Sequence, residues 1–311
     1  MKTRFMKGYS YHIYEVSAMQ WEDREESQNV EDRRGMSPKA GLALGGGGIL
    51  VLIIALIFGL DPRQVANIVG GAGGGGGGGA QQEQVNNKRE FTPEEQKQAH
   101  FSKVIFGDTE RIWDDIFTKL GKTYKKPTLV LFNDSVDSAC GSASSAVGPF
   151  YCPGDEKVYI DVAFYVEMER KLHAGGEFAR AYVIAHEVGH HVQNLLGYTA
   201  RVDDARRQRN EIESNRASVR LELQADFLAG IWAHYAQKKF NFLEKGDIES
   251  AMNAAQQIGD DTLQRNATGR VRPDAFTHGT SQQRMKWFML GLKTGDLSKM
   301  KLLFELPYNE L

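Results

Sequence analysis

From Phe91 onward, apolar residues recur mainly at three- and four-residue intervals, which predicts a largely helical domain. Thr92, with Pro93 after it and Glu95 three residues on, forms a helix start. Phe101, Val104, Ile105, Ile112, Ile116 and Leu120 carry that helix to about Gly121. Two short β-branched or aromatic runs, TLVLF at 128–132 and KVYID at 157–161, read as strands. Further helices are expected over roughly 162–173, 177–196, 205–239, 247–258 and 281–293. The pattern is that of a mostly helical α+β domain over 91–311 with a small β-sheet.

The pattern is different ahead of Phe91. Residues 1–40 are polar, mix both charge signs and show no apolar period, as expected of a disordered tail. Residues 41–60, GLALGGGGILVLIIALIFGL, carry no charge and are long enough for one transmembrane helix. A cleaved signal peptide would place its apolar core nearer the N-terminus, without a leader bearing Glu22, Asp23, Glu25, Glu26, Glu31 and Asp32. A buried soluble helix would start poorly on four successive glycines. Arg24, Arg33, Arg34 and Lys39 precede the segment and only Arg63 follows closely, which predicts a cytoplasmic N-terminus and a domain outside. Residues 61–90, nearly pure glycine from Gly70 to Ala80, read as a flexible linker. The GGGG run lacks a clean small-xxx-small face for association.

The chain has 311 residues, which suits one good-sized domain plus attachments. A net charge of −2 supplies no global field for nucleic acid. One candidate span gives a pore or transporter nothing to line its path. The only cysteines, Cys140 and Cys152, lie in one stretch, CGSASSAVGPFYC. They are expected to form a disulfide if the domain is exported, the alternative being two unrelated thiols.

The chemistry concentrates in EFARAYVIAHEVGHHVQNLL, 177–196. On a helix, His186 and His190 stand one turn apart on one face, where two imidazoles can bind one Zn²⁺. Glu187 beside them is placed to act as general base on a water. Gly189 in mid-helix costs stability, and a close-packed metal site is one reason to tolerate it. A third ligand is needed, with the fourth position left open. LELQADFLAG offers Glu222, with Asp226 one turn further on. Both lie amid apolar residues, where a carboxylate needs a partner. Zinc would serve Glu222, and the N–H of a ligand imidazole would serve Asp226. The competing solvated-face reading suits Glu211 and Glu213 better. His191 lies off the His190 face and is not counted as a ligand.

At HEVGH followed by ELQAD the chain resembles the gluzincin arrangement, HExxH with a downstream ExxxD. More closely, it resembles the bacterial membrane-anchored neutral zinc metallopeptidases. The shared features are SQNVEDRRG (27–35), the Gly-rich apolar segment, the cysteine loop, HEVGHH (186–191), ELQAD (222–226) and FTHGTSQQR (276–284). The resemblance implies a zincin-like catalytic domain outside the cytoplasm that hydrolyses peptide bonds in a peptide or protein substrate. It also implies a catalytic histidine in the FTHGTS turn, His278, as donor to the developing oxyanion. Arg284 is a weaker candidate for that role, and a capping or surface position is the plain alternative for His278. In zincins an extended substrate pairs with a strand beside the active-site helix, for which KVYID is the candidate, with the cysteine loop as a rim. The non-enzymatic alternative is a zinc-stabilised envelope protein-binding or holdase module. Residues 1–18 match nothing in the resemblance, which points to translation from Met19; an intact mass that includes Met1 would exclude it.

Overall fold

The computed structural model describes residues 19–36, 90–144, 148–172, 175–207 and 210–311. The expected span at 41–60, the glycine linker as far as residue 89 and residues 1–18 lie outside them. Among the described residues, no helix is long and apolar enough to cross a membrane.

Helix α1, Pro93–Lys119, begins with a reciprocal cap: the Glu95 N–H donates to Thr92 Oγ1 (3.2 Å), and the Thr92 N–H donates to the Glu95 carboxylate (2.9 Å). Strands β1 (Val30–Asp32), β2 (Thr128–Phe132), β5 (Phe150–Cys152) and β6 (Lys157–Asp161) form one sheet in the order β1-β2-β6-β5. The β1–β2 and β2–β6 pairs are parallel, and β5 runs antiparallel to β6. Strands β3 (Ser135–Ser138) and β4 (Gly141–Ser144) make a separate hairpin. Alternate residues of β2 and β6 enter different cores. Leu129, Leu131, Val158 and Ile160 face the main helical core. Val130, Phe132 and Tyr159 pack with Val136, Phe150 and Cys152 beneath the hairpin. Burial on both faces explains why TLVLF is apolar throughout rather than alternating.

Two expectations are corrected here. KVYID is an interior strand: β2 pairs along its whole length and β5 along Lys157, Val158 and Tyr159, which leaves β1 and β5 as the edge strands. The tail is not disordered over residues 19–36. Met19 and Trp21 are buried, Trp21 edge-on to Phe101. Arg24 pairs with buried Asp108 at 3.1 Å, and Ser27 and Asn29 donate to Glu110. β1 extends the sheet, with Lys157 paired to Glu31. The polar composition of this stretch reflects partners on α1 and β6 that its own local sequence does not reveal.

The helices are α2 (Phe164–Leu172), α3 (Glu177–Leu195), α4 (Tyr198–Arg207), α5 (Glu211–Phe240), α6 (Asp247–Gln257), α7 (Asp260–Thr268), α8 (Ser281–Thr294) and the short α9 (Leu302–Glu305). The helix expected at 205–239 begins instead at Glu211, where the Asn210 side chain accepts the Glu213 N–H. Helix α7 was not anticipated. Buried α5 packs against both α3 and α8, and glycine permits each close approach. A Cβ on Gly189 of α3 would sit 3.0 Å from the Ala225 carbonyl of α5. Cβ atoms on Gly230 and Gly291 would run into the Phe288 and Phe227 carbonyls where α5 crosses α8.

Candidate metal centre

The close approach at Gly189 brings the two motifs together. His186 and His190 on α3 and Glu222 on α5 offer one ligand atom each, all within 4.8 Å of one another. His186 Nε2 lies 3.3 Å from Glu222 Oε2, and His190 Nε2 lies 3.6 Å from Glu222 Oε1. Each imidazole is oriented through its other nitrogen. His186 Nδ1 donates to Asp226 Oδ1 at 2.8 Å, and His190 Nδ1 donates to Gln193 Oε1 at 2.8 Å. Both Nε2 atoms are thereby left for a cation.

Asp226 has no solvent exposure and carries a heavy load. Arg284 Nε and Nη2 donate to its two oxygens at 2.8 and 2.9 Å, and the Tyr182 hydroxyl donates to Oδ1 at 2.5 Å. Burial opposes ionisation of Asp226, but Arg284 and His186 overcome this and hold it well below the usual carboxylate range. Arg284 is thus committed to Asp226, which corrects its reading as an oxyanion donor.

Burial pushes the His190 imidazole down to about 4, so it stands neutral. His186 goes the other way: burial opposes the charge, but Asp226 and Glu222 raise it to about 10. Without metal, the proton between the two carboxylates stays on His186, and a cation must displace it. Glu222 is held well below its ordinary value; burial opposes this, and His190, His278 and His186 favour the anion. Two imidazoles and one carboxylate, with both outer nitrogens anchored, fit the donor set of a tetrahedral zinc site with one open position.

Glu187 is 9% exposed and is raised to about 7, chiefly by burial, with Glu222 adding to the effect. The His186 charge and the Tyr151 backbone oppose that rise. His278 is drawn toward its charged form because Glu222 and Asp260 outweigh its burial. Its Nδ1 lies 3.2 Å from Asp260 Oδ1, while Asp260 Oδ2 accepts the backbone N–H groups of Thr277 (2.7 Å), His278 (2.6 Å) and Gly279 (3.0 Å). Asp260, on the unanticipated α7, therefore builds the whole turn. No spacing rule links it to His278, eighteen residues away. Gln193 was legible in principle, three residues beyond His190 on the same helix. Cys140 and Cys152 are joined, tying β5 to the start of β4.

Two helices present HExxH and a downstream glutamate to a common point, beside a small mixed sheet. The chain belongs to the family described as "Putative neutral zinc metallopeptidase", whose model matches residues 19–302. It is 47% identical over 285 residues to the Escherichia coli K12 protein YpfJ, covering 89% of this chain and 96% of that one. It is 42% identical over 193 residues to the Mycobacterium bovis protein Mb2605, covering 59% of this chain and 64% of that protein. Both relatives carry the name "Uncharacterized protein". No solved structure matches.

Proposed function

We propose that this protein is a zinc-dependent metalloendopeptidase with His186, His190 and Glu222 as metal ligands. The observation that carries the reading is a three-ligand group with a buried glutamate, Glu187, poised near neutrality beside it. A purely structural zinc site closes all four positions and has no use for such a base. When bound, zinc would polarise the scissile carbonyl and make a water more acidic. Glu187 takes the proton from the attacking water and passes it to the leaving amine. His278, oriented by Asp260, donates to the oxyanion as it develops. Asp226 and Gln193 keep the ligand histidines in one tautomer.

The test is zinc analysis of the full chain together with cleavage of a peptide library. One zinc per chain, with cleavage abolished by a chelator and restored by zinc, is expected. Full zinc loading with no library member cut, and none of several denatured proteins cut, would favour the zinc-stabilised binding module instead.

The reading extends to location. The Cys140–Cys152 bond suits an oxidising compartment, which supports a domain outside the cytoplasm. The β1–β2 ladder supports residues 19–36 sharing that side. The apolar segment 41–60 would supply the membrane attachment. Asp23→Cys and Lys301→Cys, both at exposed positions, should react equally with a membrane-impermeant maleimide on spheroplasts. Labelling of Lys301→Cys alone would restore a single crossing, and labelling of neither would place the domain inside.

A further inference from the structure

Behind His190, two glutamines without solvent exposure, Gln193 of α3 and Gln224 of α5, join the metal group to the C-terminal segment. Gln193 Nε2 donates to the Leu221 carbonyl at 2.6 Å and to Gln224 Oε1 at 3.1 Å. Gln224 Nε2 donates to the Met300 carbonyl at 2.9 Å. Met300 lies in a 3₁₀ turn, Leu297–Lys301. The chain after that turn is held on α5 by Arg220, whose guanidinium donates to the Leu303 and Leu306 carbonyls. Arg220 and Gln224 stand one turn apart, so α5 carries the ligand Glu222 on one face and the seat of the C-terminal segment on another.

The two backbone carbonyls give this hydrogen-bond chain a single direction. A carbonyl only accepts, so the Gln224 nitrogen must face Met300 and its oxygen must face Gln193. The Gln193 nitrogen faces Leu221 for the same reason, which leaves its oxygen to His190 Nδ1 at 2.8 Å. His190 Nδ1 is then the donor, and Nε2 keeps its lone pair. Turned over, the Gln193 amide would set its oxygen against the Leu221 carbonyl and Gln224 Oε1, and would offer an N–H to Nδ1. The His190 proton would then sit on Nε2, 3.6 Å from Glu222 Oε1, where it blocks a cation.

We propose that Gln224 is a positioning residue for the ligand His190: anchored on the Met300 carbonyl, it pins the Gln193 amide that holds the His190 ring. The proposal rests on the metal-site reading given above. The terminal torsion of a glutamine is broad, so one bond to Leu221 leaves the Gln193 amide free to swing. The second hydrogen, bonded to Gln224, fixes the plane of the amide. Without Gln224 that hydrogen is buried and unpaired, which favours a displaced amide. The C-terminal segment thereby supports the metal centre, although the three grouped ligands all lie on α3 and α5.

The experiment uses the full chain with two readouts. The first is zinc affinity by chelator competition. Gln224→Met, which matches the side chain in length, should weaken zinc binding by about 10-fold, and Gln193→Met by about 10- to 100-fold. Gln224→Asn, one methylene shorter and unable to reach both partners, should act in the same direction, and it replaces Gln224→Met if that variant does not fold. Because Gln224 acts through Gln193, the double variant should bind zinc no more weakly than Gln193→Met alone. Losses that multiply overturn the proposal, as does wild-type affinity in the Gln224 variants. The second readout needs no metal. In metal-free protein labelled with ¹⁵N-histidine, two-bond ¹H–¹⁵N spectra should show wild-type His190 protonated on Nδ1. The folded Gln224 variants should move that proton toward Nε2, and an unchanged tautomer overturns the proposal. If wild type takes up no zinc while the tautomer shifts as expected, the metal reading fails and the support of His190 by Gln224 stands.

Discussion

Glu187→Gln is expected to lower peptide hydrolysis by about 10²- to 10⁴-fold while zinc content stays at the wild-type level. Gln matches Glu in size, and Glu187 is not one of the three grouped ligands, so the metal group is left intact. What is lost is the group beside the ligands placed to take a proton from the water and return it to the leaving amine. The pH profile supplies the sign. Burial, reinforced by Glu222, raises Glu187 to about 7, while His186 and the Tyr151 backbone pull it down. A bound cation pulls it down further. The base works ionised, so wild-type kcat/KM should rise with pH through an acid limb lying at or below about 7. Residual activity of the variant should lack the part of that limb due to Glu187. The measurement is a pH series of kcat/KM for both proteins with metal analysis of each. A variant as active as wild type would end the assignment of Glu187.

Asp226→Ala is expected to destabilise the fold by about 3–5 kcal/mol, because it strands the buried Arg284 guanidinium. The Tyr182 hydroxyl and His186 Nδ1 lose an acceptor in the same step. With His186 no longer held in its tautomer, zinc affinity should fall by about 10- to 100-fold. Urea midpoints of the metal-free protein separate the two effects from each other. Adding Arg284→Met to Asp226→Ala should recover most of the stability, since no unpaired charge remains, but not the zinc affinity. Recovery of both would mean that Asp226 acts only through Arg284. The folded-state carboxyl of Asp226 titrates below its unfolded value, so its contribution is fully present above the unfolded pKa. It is lost as pH falls through the folded one, in strong acid.

Gly189 shows how far local pattern reaches. The residue stood out as a helix-weakening position between two ligand candidates, and that oddity came from spacing alone. What it accommodates, the Ala225 carbonyl of α5, is a contact between segments far apart in sequence. The same division holds for β1. Asn29 to Arg33 is polar and short, with no alternation to mark a strand. It becomes one because Leu129 and Leu131 offer a free edge and Lys157 offers a charge. KVYID was legible as a strand, but strand order is a long-range property, and that order puts β6 inside the sheet and leaves β5 at the edge.

By itself the sequence determined the helical domain, the start of α1, the two long strands, and the His186, Glu187 and His190 constellation. These depend on periods of two and 3.6 residues and on groups one helical turn apart, which short-range geometry sets. The meeting of Glu222 with those histidines was expected from chemistry, through the need of a buried carboxylate for partners. Only the tertiary structure decided the rest: Arg284 on Asp226, Asp260 on His278, Tyr151 on His191, and residues 19–36 on the body of the domain. Each of these joins groups on different elements, and a buried charge or a strand edge takes whichever partner the packed chain brings within hydrogen-bond reach.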